Sequence, residues 1–385
     1  MKINKLVAAV MAVMMLTVQA AAEGTAPQEQ SAAPQGVKAK SAVLAEASTG
    51  TVLSEYNSHE KLSPASITKI MTELLVLEAI ESGKIKWNDT IKCSAHSASM
   101  GGSDIWIAPG EEMSVNDLFK AMAVNSANDA AVALAETVAG SEQAFVDSMN
   151  AKAKALGMND SHFVNCTGLD ADGNYTSAYD VMLMSRALIS HKNIFNYSTI
   201  WMDTLRGGKT GLYNTNKLIH SYQGANGLKT GSTSKAGYCL SATALRGGMQ
   251  LIAVVMGCTV VADRFSSASA LLDYGFANYS CVKPQIINRK IKVKVLRGEN
   301  DEVEAAADDP PEVLVKKGED KNVTQKLDAV TSVVAPVERG QQVGTVTLWY
   351  NGKNVGSVAI RAASPVARLG FAAAFAKLFS RLVAV

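Results

Sequence analysis

The order of apolar and polar positions divides the chain into two unlike stretches. Up to about residue 280, short alternating runs are interleaved with runs at helical spacing. Ala42–Glu46 and Thr51–Glu55 alternate around Ser48-Thr49-Gly50 and predict a β-hairpin. Within Ser66–Ser82, Ile67, Ile70, Met71, Leu74, Leu75 and Leu77 recur near helical spacing, and Gly83 marks the stop. Ser114 with Asp117 has the form of an N-cap for a helix to about Val124. Further helices are predicted over Asp129–Ala139, Glu142–Leu156, Ala178–Ile189 and Ala262–Ala277. Gly237–Ala244 and Leu251–Met256 are apolar strands joined by Arg246-Gly247-Gly248.

Beyond residue 280 the helical spacing disappears. Ile286–Val295 alternates Ile and Val with Lys and Arg, as a half-exposed strand does. Val333–Val337, Val343–Tyr350 and Val355–Arg361 are further strands, with Asn351-Gly352 as a hairpin turn. Glu299–Glu312 is acidic and holds Pro310-Pro311, which predicts a turn or mobile loop. The expected fold class is mixed α/β (α+β). An antiparallel sheet flanked by helices occupies residues 38–277, and a small β-rich domain occupies 282–362.

The two ends depart from this body. Residues 1–22 open with Lys2 and Lys5, continue with an apolar run and finish on Ala20-Ala21-Ala22, the layout of a secretory signal peptide. Residues 23–37 read as a flexible leader. Over residues 365–385, Phe371, Phe375, Leu378, Phe379 and Leu382 share one helical face, with Lys377 and Arg381 opposite. No acid follows Glu338, so this segment is expected to be an amphipathic helix at a membrane surface. Both ends predict export and retention at the outer face of a membrane.

Composition narrows the function classes. The chain has 385 residues, 48% of them hydrophobic and 19% charged, enough for two or three domains with proper cores. A net charge of +2 argues against a nucleic-acid binder with a basic surface. That charge is itself an average. Lys2 and Lys5 account for all of it, and Arg361, Arg368, Lys377 and Arg381 leave the body between with four more acids than bases. A mildly acidic body with a basic end suits an anionic membrane. Five scattered cysteines without a C-x-x-C pair exclude a disulfide-dense scaffold and a cysteine zinc ribbon. No cofactor or metal motif is present, including the phosphate loop G-x-x-x-x-G-K-[ST] and the zinc motif H-E-x-x-H.

His59, His96, His162, His191 and His220 lie in no recognisable motif, and the G-x-S-x-G elbow is missing, so a Ser-His-Asp hydrolase is unsupported. A serine can instead be activated by a lysine. An S-x-x-K step on a helix places both side chains on one face, about 4.5 Å apart along the axis. Ser58…Lys61, Ser66…Lys69 and Ser232…Lys235 all match, but only Ser66 opens a long apolar helix. S-x-N occurs at Ser126-Ala127-Asn128, between two helices, and at Ser148-Met149-Asn150, inside one. K-T-G occurs at Lys209-Thr210-Gly211, in a stretch of loop composition, and at Lys229-Thr230-Gly231, leading into the strand pair. A lysine and a hydroxyl on an edge strand can clamp a carboxylate, and the glycine permits close backbone approach.

These motifs in this order are those of class A β-lactamases and penicillin-binding proteins. With Pro64–Thr72, Asn125–Ala131 and Gly227–Cys239, the chain resembles the low-molecular-mass penicillin-binding proteins, serine-type D-alanyl-D-alanine carboxypeptidases with a C-terminal β domain. Gly168-Leu169-Asp170, Thr176–Asp180, Asn214-Thr215-Asn216, Ala335–Gly340 and Asn351-Gly352-Lys353 extend the likeness to nearly the whole chain after residue 38. The resemblance implies a β-lactamase/transpeptidase-like catalytic domain acting on peptidoglycan stem pentapeptides ending in D-Ala-D-Ala, on the outer face of the bacterial cytoplasmic membrane. It also implies β-lactams as covalent inhibitors.

By the same resemblance Ser66 is the nucleophile, Lys69 its base and Ser126 a proton relay. Asn128 holds the substrate amide or positions Lys69. Lys229 and Thr230 bind the terminal carboxylate beside Gly231, and the N–H groups of Ser66 and Ser232 form the oxyanion hole. Ser232 is smaller than the residue of many relatives, which predicts altered substrate preference. Glu46 stands where relatives often have Asp, a structural difference. No acidic E-x-x-x-N loop lies between Ser126 and Lys229, so a β-lactam adduct is expected to persist. A β-lactamase and a catalytically weak wall-binding protein of the same fold are the competing readings.

Overall fold

The protein is described by a computed structural model covering residues 35–376. The expected signal peptide, the leader to residue 34 and the tail from Lys377 lie outside those residues.

The first hairpin forms as its alternation requires. β1 (Ser41–Glu46) pairs antiparallel with β2 (Val52–Tyr56). Glu46 closes the turn. It is buried, and its carboxylate accepts from the amide and hydroxyl of Ser48 and of Thr49, at 2.7–2.9 Å. β1 then pairs with β9 of the later hairpin β8 (Gly237–Arg246) and β9 (Met249–Cys258). With β7 (Ala225–Thr233) at one edge, the order β2-β1-β9-β8-β7 makes a five-stranded antiparallel sheet.

This sheet is buried on both faces, which explains the nearly continuous apolar runs of β1 and β9. Val43, Ile252, Val254 and Met256 face a core shared with α1 (Lys69–Glu81), α3 (Val115–Asn125), α4 (Asn128–Ala139), α5 (Glu142–Ala155) and α6 (Ala178–Ser190). Leu44, Leu251, Ala253 and Val255 face α9 (Val261–Asn278) through Ala268, Leu271 and Leu272. Short elements complete this part: β3 (Thr90–Lys92) with β4 (Glu112–Ser114), β5 (Met202–Leu205) with β6 (Thr210–Tyr213), and the single turns α2 (Ala95–Ala98), α7 (Phe195–Ser198) and α8 (Leu218–Ser221).

The caps follow the sequence. Ser114 Oγ accepts from Asp117 N at 3.0 Å, and Gly140 ends α4 at a φ of 85°.

α9 runs without a linker into β10 (Tyr279–Val282), which pairs with β13 (Val313–Lys316). A six-stranded sheet follows, containing β11 (Lys290–Leu296), β12 (Glu302–Ala307), β14 (Val323–Ala329), β15 (Ser332–Val334), β16 (Gln342–Tyr350) and β17 (Lys353–Ala362), in the order β14-β16-β17-β12-β11-β15. Asn351 and Gly352 both take positive φ in the β16–β17 turn.

The expectation of a loop over Glu299–Glu312 is corrected. β12 lies within it and pairs with β11 and β17. Its acids are the outward half of an alternation whose inward half, Val303, Ala305 and Ala307, is buried. Glu302 meets Lys292 of β11 at 3.2 Å, so the charges that suggested a loop help pair two strands.

Residues 371–376 are helical and exposed, Phe371 by 90% and Phe375 by 65%. No helix of the described residues is long and apolar enough to cross a membrane.

Candidate active site

Ser66 does not begin the α-helix itself. It lies in a 3₁₀ turn, Ala65–Thr68, and Lys69 is the first residue of α1. Ala65 holds a φ of 48°, unusual for a residue with a Cβ, and so swings Ser66 out at the head of the turn. The three-residue step brings Lys69 Nζ to 3.2 Å from Ser66 Oγ. Nζ also donates to Asn128 Oδ1 at 2.5 Å and to Thr167 O at 2.7 Å. Lys69 has no exposed surface. Burial, with the nearby charge of Lys229 adding to it, lowers its pKa to about 7.

The second motif forms the opposite wall. Ser126 ends α3 at a φ of 64°, and its Oγ is buried without a hydrogen-bond partner among the described residues. Asn128 opens α4, and its Nδ2 donates to Gly101 O at 2.6 Å, which leaves Oδ1 for Lys69. The buried Asp129 carboxylate accepts from Ile105 N and Ile107 N, folding residues 101–107 over this corner.

The third motif lies on edge strand β7. Lys229 is buried, with a pKa lowered first by desolvation; Glu73 opposes that shift and Arg264 adds to it. Thr230 Oγ1 donates to Thr215 Oγ1 at 2.7 Å. Gly231 packs against the turn that carries Ser66, since a Cβ there would stand 3.0 Å from Ser66 N. The glycine therefore serves approach to the backbone of Ser66, beyond the approach to substrate that the sequence suggested. Ser232 turns its side chain to solvent.

These groups converge. Ser66, Ser126, Asn128, Thr230, Gly231 and Ser232 line one cleft of about 290 Å³. Lys69 and Lys229 lie buried behind its wall. A larger cavity of about 900 Å³ lies at the opposite end of the β8–β9 hairpin, around Leu183, Phe195 and Leu245; its serines and lysine are bonded elsewhere, Ser48 Oγ to Glu46, Ser190 Oγ to Ala187 O and Lys192 Nζ to Ile189 O. The candidate residues gather at the smaller cleft.

Three contributors were given no role from the sequence, although Thr215 lies in a stretch that carries the family likeness. Thr215 lies between two buried asparagines. Asn214 Nδ2 donates to Ser198 O and Ile200 O, and Asn216 Nδ2 donates to Gly227 O, which fixes β7 beside it. Arg264 reaches the cleft from α9; it is 9% exposed, its Nε has no partner among the described residues, and Nη1 reaches Gly231 O at 3.4 Å. Glu73 is buried one turn after Lys69. The segment 165–170 supports the floor: Gly168 leaves no room for a Cβ against Ala65 O, and Asp170 Oδ1 accepts from both Ser63 Oγ and Thr233 Oγ1.

The rejected copies have structural partners. Ser58 Oγ donates to Glu55 Oε2 at 2.7 Å, and Ser148 Oγ to Ala144 O within α5. The first K-T-G begins β6, where Thr210 Oγ1 accepts from Arg206 Nη1 at 2.9 Å. Each histidine is engaged elsewhere: His59 with Asp160, His96 with Glu142, His162 with Gly173 O, His191 with Glu81 and His220 against Trp201. All five cysteines are unpaired. No group of acids, histidines and cysteines among the described residues is placed to hold a metal.

Comparison with known proteins gives the same reading over most of the chain. The family model for D-alanyl-D-alanine carboxypeptidase matches residues 28–259. The model for the C-terminal domain of penicillin-binding protein 5 matches residues 283–368. D-alanyl-D-alanine carboxypeptidase DacF of Bacillus subtilis is 43% identical over 339 residues, 87% of each chain. DacC of Escherichia coli is 35% identical over 336 residues, 85% of this chain and 84% of that protein. Among solved structures, penicillin-binding protein 5 of Haemophilus influenzae superposes with a TM-score of 0.72 at 29% identity, covering 89% of this chain and 99% of that one. Penicillin-binding protein D2 of Listeria monocytogenes, in its ampicillin-bound form, superposes with a TM-score of 0.58 at 35% identity, covering 62% and 98%.

Proposed function

Since the chain belongs to the D-alanyl-D-alanine carboxypeptidase family, we propose that Ser66 is its nucleophile and Lys69 the base that activates it. The protein is a serine hydrolase that removes the terminal D-alanine from peptidoglycan stem pentapeptides through an acyl-enzyme, and it binds penicillin. The residue roles rest on one observation, the three partners of Lys69 Nζ. A neutral amine has two hydrogens and one lone pair. Asn128 Oδ1 and Thr167 O can accept only hydrogens, so the lone pair is left facing the Ser66 hydroxyl.

The reaction follows from that arrangement. Ser66 Oγ attacks the carbonyl between the two D-alanines while its proton passes to Lys69 Nζ. The N–H groups of Ser66 and Ser232 hold the developing oxyanion. Ser126, whose buried hydroxyl has no partner among the described residues, passes its proton to the nitrogen of the departing D-alanine and is reprotonated by the one that Lys69 took from Ser66. Lys229, Thr230 and the neighbouring Arg264 take the substrate's terminal carboxylate. Water then attacks the acyl-enzyme and releases the shortened peptide. Mass spectrometry after exposure to a β-lactam tests the assignment: the adduct belongs on Ser66 and is missing from Ser66→Ala. An adduct on another residue overturns it.

The cleft lining includes no aspartate or glutamate among the described residues, which supports slow deacylation and not a β-lactamase. Rapid turnover of penicillin is the result that would favour the β-lactamase reading.

We further infer that residues 38–277 are the catalytic domain and 282–362 a separate β domain. The inferred location is outside the cytoplasm, with the tail resting on the membrane surface. The exposed Phe371 and Phe375 in a helical segment support that placement. Fractionation of cells expressing the full chain and F371S/F375S tests it; equal membrane recovery of the two argues against the tail.

A further inference from the structure

Glu73 has no part in the roles assigned above. It lies on α1 four residues after Lys69, so both side chains leave the same face of the helix. It is 2% exposed, and its Oε1 has no hydrogen-bond partner among the described residues. A buried carboxylate in that condition is costly unless neighbouring charge compensates it. Two lysines bear on it. Lys69 lies on the same helix, and Lys229 on β7 acts on Glu73 more strongly still. Lys229 shares its strand face with Gly231, whose Cα stands against Ser66, so β7 directs this lysine towards the α1 layer. The remaining groups felt by the cluster are Asp104 and the Cys166 thiol at Lys69, and Arg264 at Lys229.

The two lysines have opposite requirements. Lys69 must be neutral to accept the Ser66 proton, whereas Lys229 must be cationic to hold a carboxylate. Both are buried, and each added positive charge makes the other harder to keep. Without an anion the pair would tend to lose both protons, and substrate binding would weaken.

We propose that Glu73 is a positioning residue whose ionised carboxylate keeps Lys229 cationic while Lys69 remains neutral. Burial raises the Glu73 pKa to about 7, and the two lysines oppose that rise. On this proposal the resting protons are placed as follows. Lys229 carries its third proton, Lys69 has two hydrogens and a lone pair, and Glu73 has none. The three groups together carry no net charge. When Ser66 transfers its proton, Glu73 also supplies the anion that stabilises the new ammonium at Lys69. The proposal rests on Lys69 as base and Lys229 as carboxylate ligand.

The test uses the full chain and its E73Q and E73D variants. Ser66 acylation by a fluorescent penicillin and D-alanine release from a D-Ala-D-Ala peptide are followed against pH, with thermal melting to establish folding. Removing the anion disfavours the cationic form of both lysines. In E73Q the rise of acylation with pH therefore moves to lower pH by about one unit or more. The pH above which KM climbs, as Lys229 loses its charge, moves down as well. E73D retains the charge and keeps the parent profile. A folded E73Q with the parent profile overturns the proposal, as does E73D shifting as far as E73Q. Should E73Q not fold, isotope-edited infrared spectra of the parent decide: an ionised Glu73 at neutral pH supports the proposal, and a protonated one overturns it. K69A is the control for the underlying reading. If K69A acylates at the parent rate, the base assignment has failed, whatever Glu73 does.

Discussion

Gly231 stands against the backbone of Ser66, with space for a hydrogen and none for a methyl group: a Cβ would lie 3.0 Å from Ser66 N, from Ile67 N and from Pro64 O. Strand β7 and the turn that carries Ser66 are thus held in direct contact. Gly231→Ala is expected to push β7 from the turn, costing about 1–3 kcal/mol of stability. Acylation by a fluorescent penicillin should fall by more than tenfold, because the amides of Ser66 and Ser232 lose their common alignment. Unchanged stability and acylation would show that the contact is slack.

Acylation is expected to increase as pH rises through about 7, the lowered pKa of Lys69. The sign follows from chemistry: below that pH the amine is an ammonium without a lone pair, and above it the base form predominates. Lys69→Arg stays cationic throughout and should lose the activity at every pH. A parent rate that is flat from weakly acid to alkaline pH contradicts the base assignment.

Arg264 should matter most for substrates that present a carboxylate. Its unpartnered Nε and its place in the cleft wall predict that Arg264→Ala raises KM by about 10–100-fold for a peptide acid. The same peptide as its C-terminal amide should be affected much less. Equal losses on both substrates would assign Arg264 to packing against Tyr238 and Phe265, whose rings it faces.

Glu46 should separate stability from catalysis. Its buried carboxylate ties the amides and hydroxyls of Ser48 and Thr49 into the first turn. Glu46→Ala is expected to cost about 2–4 kcal/mol in denaturant unfolding. Acylation per folded molecule should stay at the parent level, since Glu46 lies away from the cleft lining.

Much of the site was legible because its motifs are local. Ser66 and Lys69 sit within one turn, and Ser126 with Asn128 spans a single break between helices. Context separated the copies that line the cleft from the others: Ser58, Ser148 and Thr210 sit where neighbouring groups satisfy them. Arg264 carried no such sign. It is one cation on a helix whose apolar face explains the pattern alone, and it enters the site because α9 packs on β8 and β9 and Arg264 reaches from it to Gly231 O of β7. Glu73 was hidden in the same way within an apolar helix. The strand Glu302–Ala307 was misread because its average composition is acidic, whereas the fold responds to alternation.

The direct passage of α9 into β10 has a mechanical meaning. Asn278 ends the helix, Tyr279 begins the strand, and Asn278 O accepts from Lys317 N at 2.9 Å, so the joint is braced on both sides. A braced joint transmits torque where a linker would absorb it. Strands β10 and β13 are therefore expected to follow any rotation of α9, so a displacement at one end of the joint is felt at the other.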